Sequence, residues 1–307
     1  DELPGNNDGL SSGDTNNINS GNNTQNHIHT FASEWSNDKQ YHWRASTCEH
    51  VLIADKAKHS FDDNDMCNIC KYYSSYGFTF KLNANNDAYT ITGLEEDNDD
   101  TQIVIPSSYG GKPVTSIDQN AFKGCDNLTS VTIPTSITKI GQDAFDGCSG
   151  LIGVYITDMF SWLNINFEGN DSNPLDYAKR LYLNNQLVTK LTIPKELNSF
   201  NIYTIYSCDD LTEISVDEQN ATYKSDGNCL IEKESGRLVF GCKNSIIPSY
   251  VTAIGSAAFE GCKGLTNVEI PSGVEYIGFD AFRNCSDLTT VKIQPGVKYI
   301  YDGAFQN

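Results

Sequence analysis

Histidine is absent from this chain after residue 59, and basic residues are scarce throughout: 21 Lys and Arg stand against 40 Asp and Glu, a formal charge of −19. The first absence excludes a Ser-His-Asp or Cys-His catalytic site built from the rest of the chain alone. The second argues against nucleic-acid binding, which needs a basic face to neutralise phosphates, and against adsorption to an anionic membrane. No uncharged apolar run approaches the ~18 residues of a membrane span. P-loop, dinucleotide-glycine and His-Glu-x-x-His patterns are all missing. The acidic runs Asp62-Asp63-Asn64-Asp65 and Glu95-Glu96-Asp97-Asn98-Asp99-Asp100 lack calcium-loop spacing and read as solvated loops.

The start, Asp1-Glu2-Leu3-Pro4, has neither the basic nor the apolar part of a signal peptide. It reads as the exposed beginning of an exported protein after processing. Residues 4–26 are almost wholly Gly, Asn, Ser, Asp and Thr, too polar to offset their ordering entropy. Residues 1–26 are therefore expected to be a disordered tether.

From there the chain repeats itself. Ala121-Phe122-Lys123-Gly124-Cys125 returns as Ala144-Phe145-Asp146-Gly147-Cys148, Ala258-Phe259-Glu260-Gly261-Cys262 and Ala281-Phe282-Arg283-Asn284-Cys285, and Ala304-Phe305 follows. Within each run the period is 23 residues. Between the marks lies one template: Leu128, Val131, Ile133-Pro134, Ile137, Ile140-Gly141. Val131-x-Ile133 alternates as a strand does, and proline ends it because it cannot donate to the next rung. One such coil cannot bury its own apolar residues; stacked coils can.

Three coils depart from the template. The third carries an insertion, residues 158–179, read as short helices that return near Leu181-Tyr182-Leu183. The fourth lacks the Ala-Phe pair. The fifth detours through 217–246, where Cys229-Leu230-Ile231 and Arg237-Leu238-Val239-Phe240 flank Glu232 to Gly236 as a β-hairpin would.

The Ile-Pro-x-x-Val-x-x-Ile-Gly-x-x-Ala-Phe-x-Gly-Cys unit resembles the BspA-type leucine-rich repeat of bacterial surface proteins, over roughly residues 89–307. The resemblance implies export, a curved solenoid and a part in adhesion or ligand binding, with no catalytic residues. The expected fold is an α+β solenoid over 77–307, about seven coils of a short strand plus a turn or short helix. A small metal-stapled module over 27–76 precedes it.

That module holds all five histidines and three cysteines. Cys67-x-x-Cys70 places two thiolates on adjacent vertices of a tetrahedral metal, which would supply the folding energy that a segment so poor in aliphatics lacks. The expected ligands of a structural zinc are Cys48, His59, Cys67 and Cys70, with His29, His42 and His50 in reserve. The segment also resembles small modules in surface proteins of anaerobic bacteria, through His29-Thr30-Phe31, Trp35, His42-Trp43, Cys48-Glu49-His50, His59-Ser60-Phe61 and the C-x-x-C pair. Arg44 stands where that pattern has a further His. A Cys67–Cys70 disulfide, or free thiols with solvated histidines, is the alternative.

Cys125, Cys148, Cys208, Cys262 and Cys285 share one slot of the coil and read as core packing; Cys229 and Cys242 flank the hairpin and are placed to pair across it. The exposed strand positions Thr129, Thr132, Thr289 and Lys292 are candidates for ligand contact. The function expected is a non-catalytic binding or adhesion module, extracellular or on the bacterial surface, for an extracellular protein or glycan. A structural spacer of the envelope is the first alternative and a zinc enzyme built on the N-terminal module the second. The last coil ends at Asn307, before its Cys slot, so either a partner copy covers it, by self-association, or the native chain continues.

Overall fold

The computed structural model describes residues 31–33, 35–37, 41–45, 47, 53–58, 60, 69, 77–96, 98–169 and 171–307. These fall into two compact units, one holding the described residues up to 75 with 108–112, the other holding 77–107 and 113–307. The expected tether of residues 1–26 lies outside the described residues.

The first unit contains a three-stranded antiparallel sheet, Ser36–Asn37, Tyr41–Ala45 and Ile53–Lys58. His42 is buried in its central strand, with the Trp35 ring edge-on at 4.9 Å and the Arg44 guanidinium 4.9 Å from the centre of that same ring.

The second unit is a β-solenoid of stacked coils. Equivalent apolar residues lie side by side in parallel registers: Ile103, Val131, Val154 and Leu181 on one ladder, and Ile91, Ile117, Ile140 and Phe167 on the other. Leu191 with Ile214, then Val268 with Val291, continue the first row. Leu238, Ile254, Ile277 and Ile300 continue the second. Each proline of the template starts the turn that leaves the strand: Pro134, Pro194, Pro248 and Pro271 accept from the amide three residues on, at 3.1–3.2 Å. The Ile-Gly step brings successive backbones together. A Cβ on Gly141 would sit 2.5 Å from the Gln119 nitrogen, and one on Gly278 2.5 Å from the Ser256 nitrogen, so no larger residue fits without moving a neighbouring coil.

The Phe of each Ala-Phe pair forms a spine. Phe259 and Phe282 stack at 4.9 Å, Phe282 and Phe305 at 5.1 Å, and Phe122 and Phe145 lie 5.2 Å apart. Burying each ring is worth about 1.5–3 kcal/mol, and each aromatic pair about 0.5–1.5 kcal/mol more. The antiparallel hairpin Phe78–Leu82/Tyr89–Leu94 closes the first end of the solenoid, with Phe78 edge-on to Phe122. At the other end Ile293 and Ile300 are about half exposed, whereas Ile270 and Ile277 one coil earlier are fully buried.

Helix is sparse. The third-coil insertion carries Met159–Leu163, capped by the Asp158 carboxylate on the Ser161 amide at 2.7 Å, and the single turn Leu175–Ala178. The fourth coil replaces the Ala-Phe turn with a 3₁₀ turn, Ile202–Thr204. The hairpin of the fifth coil forms as Cys229–Glu232 against Arg237–Gly241, and a third strand, Tyr223–Asp226, joins it. Arg237–Gly241 lies parallel to Ala253–Ile254 and supplies an extra rung of the Ile ladder.

Candidate functional site

Two surfaces of the solenoid differ from the self-paired rest. The first is the strand face of the early coils. One outward row crosses five strands through Val104, Thr132, Tyr155, Tyr182 and Leu187. Tyr155 and Tyr182 stack at 4.7 Å with planes 9° apart. Both rings lean over Gly153, where a Cβ would meet them at 3.0 and 3.2 Å. Val104 and Ile152 beside them are 64% and 65% exposed. In later coils the same row is polar and spent on itself, Thr192 with Ser215 at 3.1 Å and Lys292 with Glu269 at 2.9 Å, and in the outward row beside it Lys190 pairs with Glu213. Lys292 and Gln294 together hold the Glu269 carboxyl below its ordinary range by hydrogen bonding.

The residues expected to contact ligand are placed as follows. Thr129 and Thr289 donate their hydroxyls to the carbonyls of Thr101 and Thr266 in the preceding coil, at 2.8 and 3.0 Å. Lys292 pairs with Glu269. Thr132 lies in the apolar row, beside Val104 and Tyr155. Thr132 and Lys292 belong to different sheets.

The second surface is a groove on the turn side, about 770 Å³ in volume. It opens where the turns lose their regular bonding. Elsewhere a turn donates backbone amides to the next: Phe122 to Ala144, Gly124 to Asp146, Phe259 to Ala281, Gly261 to Arg283. Among the described residues no backbone hydrogen bond joins the fourth-coil turn, 202–208, to the fifth-coil turn, 257–262. Side chains brace the third and fourth coils instead. Asn173 donates to the Tyr203 carbonyl at 2.6 Å and the Trp162 indole to the Thr204 carbonyl at 2.9 Å. Asp176 accepts from the Tyr206 and Ser207 hydroxyls at 2.8 and 3.0 Å.

Asp171, Asp176, Asp209 and Glu260 line the groove with Tyr203, Tyr206, Lys179 and Lys263. Burial pushes the Asp176 carboxyl above its ordinary range, against the pull of its two hydroxyl donors. Burial raises Glu260 too; Arg283, 4.0 Å away, opposes this, while the charges of Asp280 and Asp176 add to it. Tyr203 presents a ring that is 54% exposed, with Tyr206 edge-on at 5.6 Å.

The repeated cysteine slot is packing. Cys148 and Cys285 are buried and donate to the carbonyls of Phe122 and Phe259 in the preceding coil, at 3.1 and 2.9 Å. Burial raises these thiols to about 12 and about 11, far from the thiolate needed of a nucleophile or ligand. Cys229 and Cys242 are both free thiols. Of the expected zinc ligands, Cys48, His59, Cys67 and Cys70 lie outside the described residues, as do His29 and His50. Among the described residues no group of three His, Cys, Asp or Glu side chains is placed to hold a metal ion. Nor is any described helix long and apolar enough to cross a membrane.

The sequence profile of the BspA-type leucine-rich-repeat region matches residues 100–226 and 239–307, in six copies. The unmatched residues between them belong to the fifth-coil hairpin. No curated protein sequence matches the chain. Among solved structures, the chain is similar to a leucine-rich repeat protein from Eubacterium ventriosum, at 20% identity over 73% of this chain and 72% of that one, TM-score 0.41. It is also similar to a leucine-rich cell surface protein from Faecalibacterium prausnitzii, at 22% identity over 76% and 85%, TM-score 0.39. A third is the pneumococcal vaccine antigen PcpA, at 16% identity over 88% and 78%, TM-score 0.42.

Proposed function

The chain belongs to the BspA-type leucine-rich-repeat family, and from that premise we propose that it is a non-catalytic binding module displayed at a bacterial cell surface. Its partner is an extracellular protein or glycan, met on the strand face of the early coils. The observation that carries this reading is the apolar row Val104–Tyr155–Tyr182–Leu187. Exposed apolar side chains grouped in this way mark contact surfaces, and tyrosines give large contact area at low entropic cost. A family of repeat proteins that bind through extended faces supports it.

The test is an array of matrix proteins and glycans probed with the wild type and a Tyr155→Ser/Tyr182→Ser variant. Saturable binding that falls at least about tenfold in the variant is expected, the loss of about 1.4 kcal/mol of contact energy. An array silent to the wild type, or a signal indifferent to the two tyrosines, overturns the reading.

For the segment ahead of the solenoid we propose a structural zinc on Cys48, His59, Cys67 and Cys70. The C-x-x-C spacing supports it. One zinc per chain by plasma mass spectrometry, lost in Cys67→Ser/Cys70→Ser, is expected; equal metal content in both proteins would refute it.

A further inference from the structure

The groove on the turn side is a consequence of the architecture. Where the Ala-Phe turn is present, adjacent turns close on each other through backbone amides. The fourth coil has a 3₁₀ turn instead, and the space its partner would fill is left open to solvent. Its lining differs in charge pairing from the regular rows. Along the regular rows the acidic side chains carry a basic partner: Asp146 has Lys123 at 2.8 Å, Glu168 has Lys139 at 2.9 Å, Glu275 has Lys298 at 2.9 Å. In the groove Asp209 has Lys263 at 2.8 Å, but Asp176 is hydrogen-bonded by neutral hydroxyls and feels Lys179 only through its charge, and Glu260 faces a guanidinium at 4.0 Å. The charge of Asp176 also disfavours ionisation of Glu260. Desolvated acids whose counter-charges are held this loosely are costly, and a cation entering the groove lowers that cost.

The kind of cation follows from the spread of the acids. No three of the described acidic, His or Cys side chains are placed to hold a metal ion. Negative charge is instead distributed along a groove of about 770 Å³, several times the volume of one ammonium group. Tyr203 offers an exposed ring face, on which an alkylammonium stem packs and to which its charge is attracted. Asn284 adds an exposed amide at the lining for main-chain contacts.

We propose that this groove is a second binding site, separate from the strand face, for an extended peptide segment of a partner protein that carries lysine side chains. One ammonium pairs with Asp176 and Glu260 and packs against Tyr203. The remaining volume takes the backbone to either side.

Calorimetry of the full chain with a blocked hexapeptide of three Gly-Lys repeats tests this. The controls are the Gly-Gln counterpart and free spermidine. Saturable one-to-one binding of the lysine peptide is expected, absent with the glutamine peptide and weaker with spermidine. Glu260→Gln and Asp176→Asn should each weaken it about tenfold, the worth of one charge-assisted hydrogen bond. Tyr203→Ala, at a side chain that is more exposed than buried, should weaken it about threefold. Asp126→Asn, an exposed acid outside the groove, and Tyr182→Ser on the strand face should change nothing. Equal weakening by Asp126→Asn would show diffuse attraction to a chain of net charge −19 and overturn the site. Spermidine binding as tightly as the peptide would overturn the peptide as occupant. No saturable binding, or binding indifferent to Glu260, Asp176 and Tyr203, would overturn both. Tyr155→Ser/Tyr182→Ser leaving peptide binding intact while weakening the array signal at least about tenfold separates this site from the strand face.

Discussion

In the coils after residue 253, each turn hands its amides to the next, each Phe lies on the next Phe, and each exposed acid on the strand rows has a lysine one coil away. Between residues 158 and 246 the same plan is interrupted. Asn173, Trp162 and Asp176 brace the coils through side chains, and Asp176, like Glu260 across the groove, has no basic partner nearer than 4.0 Å among the described residues. Repetition satisfies groups because every residue meets its own equivalent. Interruption removes the equivalent and leaves both space and charge uncovered. In this solenoid the regular region closes on itself and the interrupted region leaves a groove.

The comparison can be broken at the spine. Phe282 is buried between Phe259 and Phe305, and Phe282→Ala should cost about 3–5 kcal/mol by guanidinium denaturation. Phe200, half-buried and only tilted against Phe240 at 5.9 Å, should cost less, about 1–3 kcal/mol. Equal losses would mean that the interrupted coils are packed as tightly as the regular ones. Next comes the glycine slot. Gly278→Ala drives a methyl against the Ser256 backbone and should cost about 1–3 kcal/mol through overpacking, whereas Gly124→Ala meets nothing within 4 Å and bears only the strain of its positive φ.

The smallest effect is the most informative about charge. Glu260 has a raised carboxyl pKa in the folded state, so its ionisation opposes folding. Glu260→Gln should therefore be more stable than the wild type near neutral pH. The advantage should shrink as pH falls through the raised folded pKa and vanish below the ordinary carboxylate range. Glu269, held low by Lys292 and Gln294, should give the opposite sign: Glu269→Gln loses stability at neutral pH and recovers the difference in acid. Thermal melts of the two variants across pH 3–8, spanning the carboxylate and neutral ranges, check both. Matching signs would mean that the groove is no less compensated than the regular rows.

The coils were legible because each template residue has one physical duty that recurs. Ile and Val fill the ladders, Pro134 and its equivalents start a turn, Gly141 permits close approach, and Cys148 packs and caps a carbonyl. The short helices at 159–163 and 175–178 and the hairpin around Glu232–Gly236 were readable from local pattern. The strand Tyr223–Asp226 was not, because Tyr-Lys-Ser-Asp has no alternation to mark it. The groove was illegible for a different reason. Asp176, Tyr203 and Glu260 come from three coils and line one groove only because a 3₁₀ turn stands in place of the regular turn of the fourth coil. The exposed threonines show the limit of choosing contacts by exposure: Thr129 and Thr289 face outward, yet their hydroxyls are bonded to carbonyls of their own chain.

The register of 23 residues between neighbouring rungs also bears on how such a chain changes over generations. Because Phe259, Phe282 and Phe305 each meet only the rung before and after, an in-frame duplication or loss of one whole coil reseats its neighbours in the same bonds. Recombination within the gene can therefore lengthen or shorten the regular stretch as a unit. The same event inside 158–246 would separate Asp176 from Glu260, so heredity has far less freedom there.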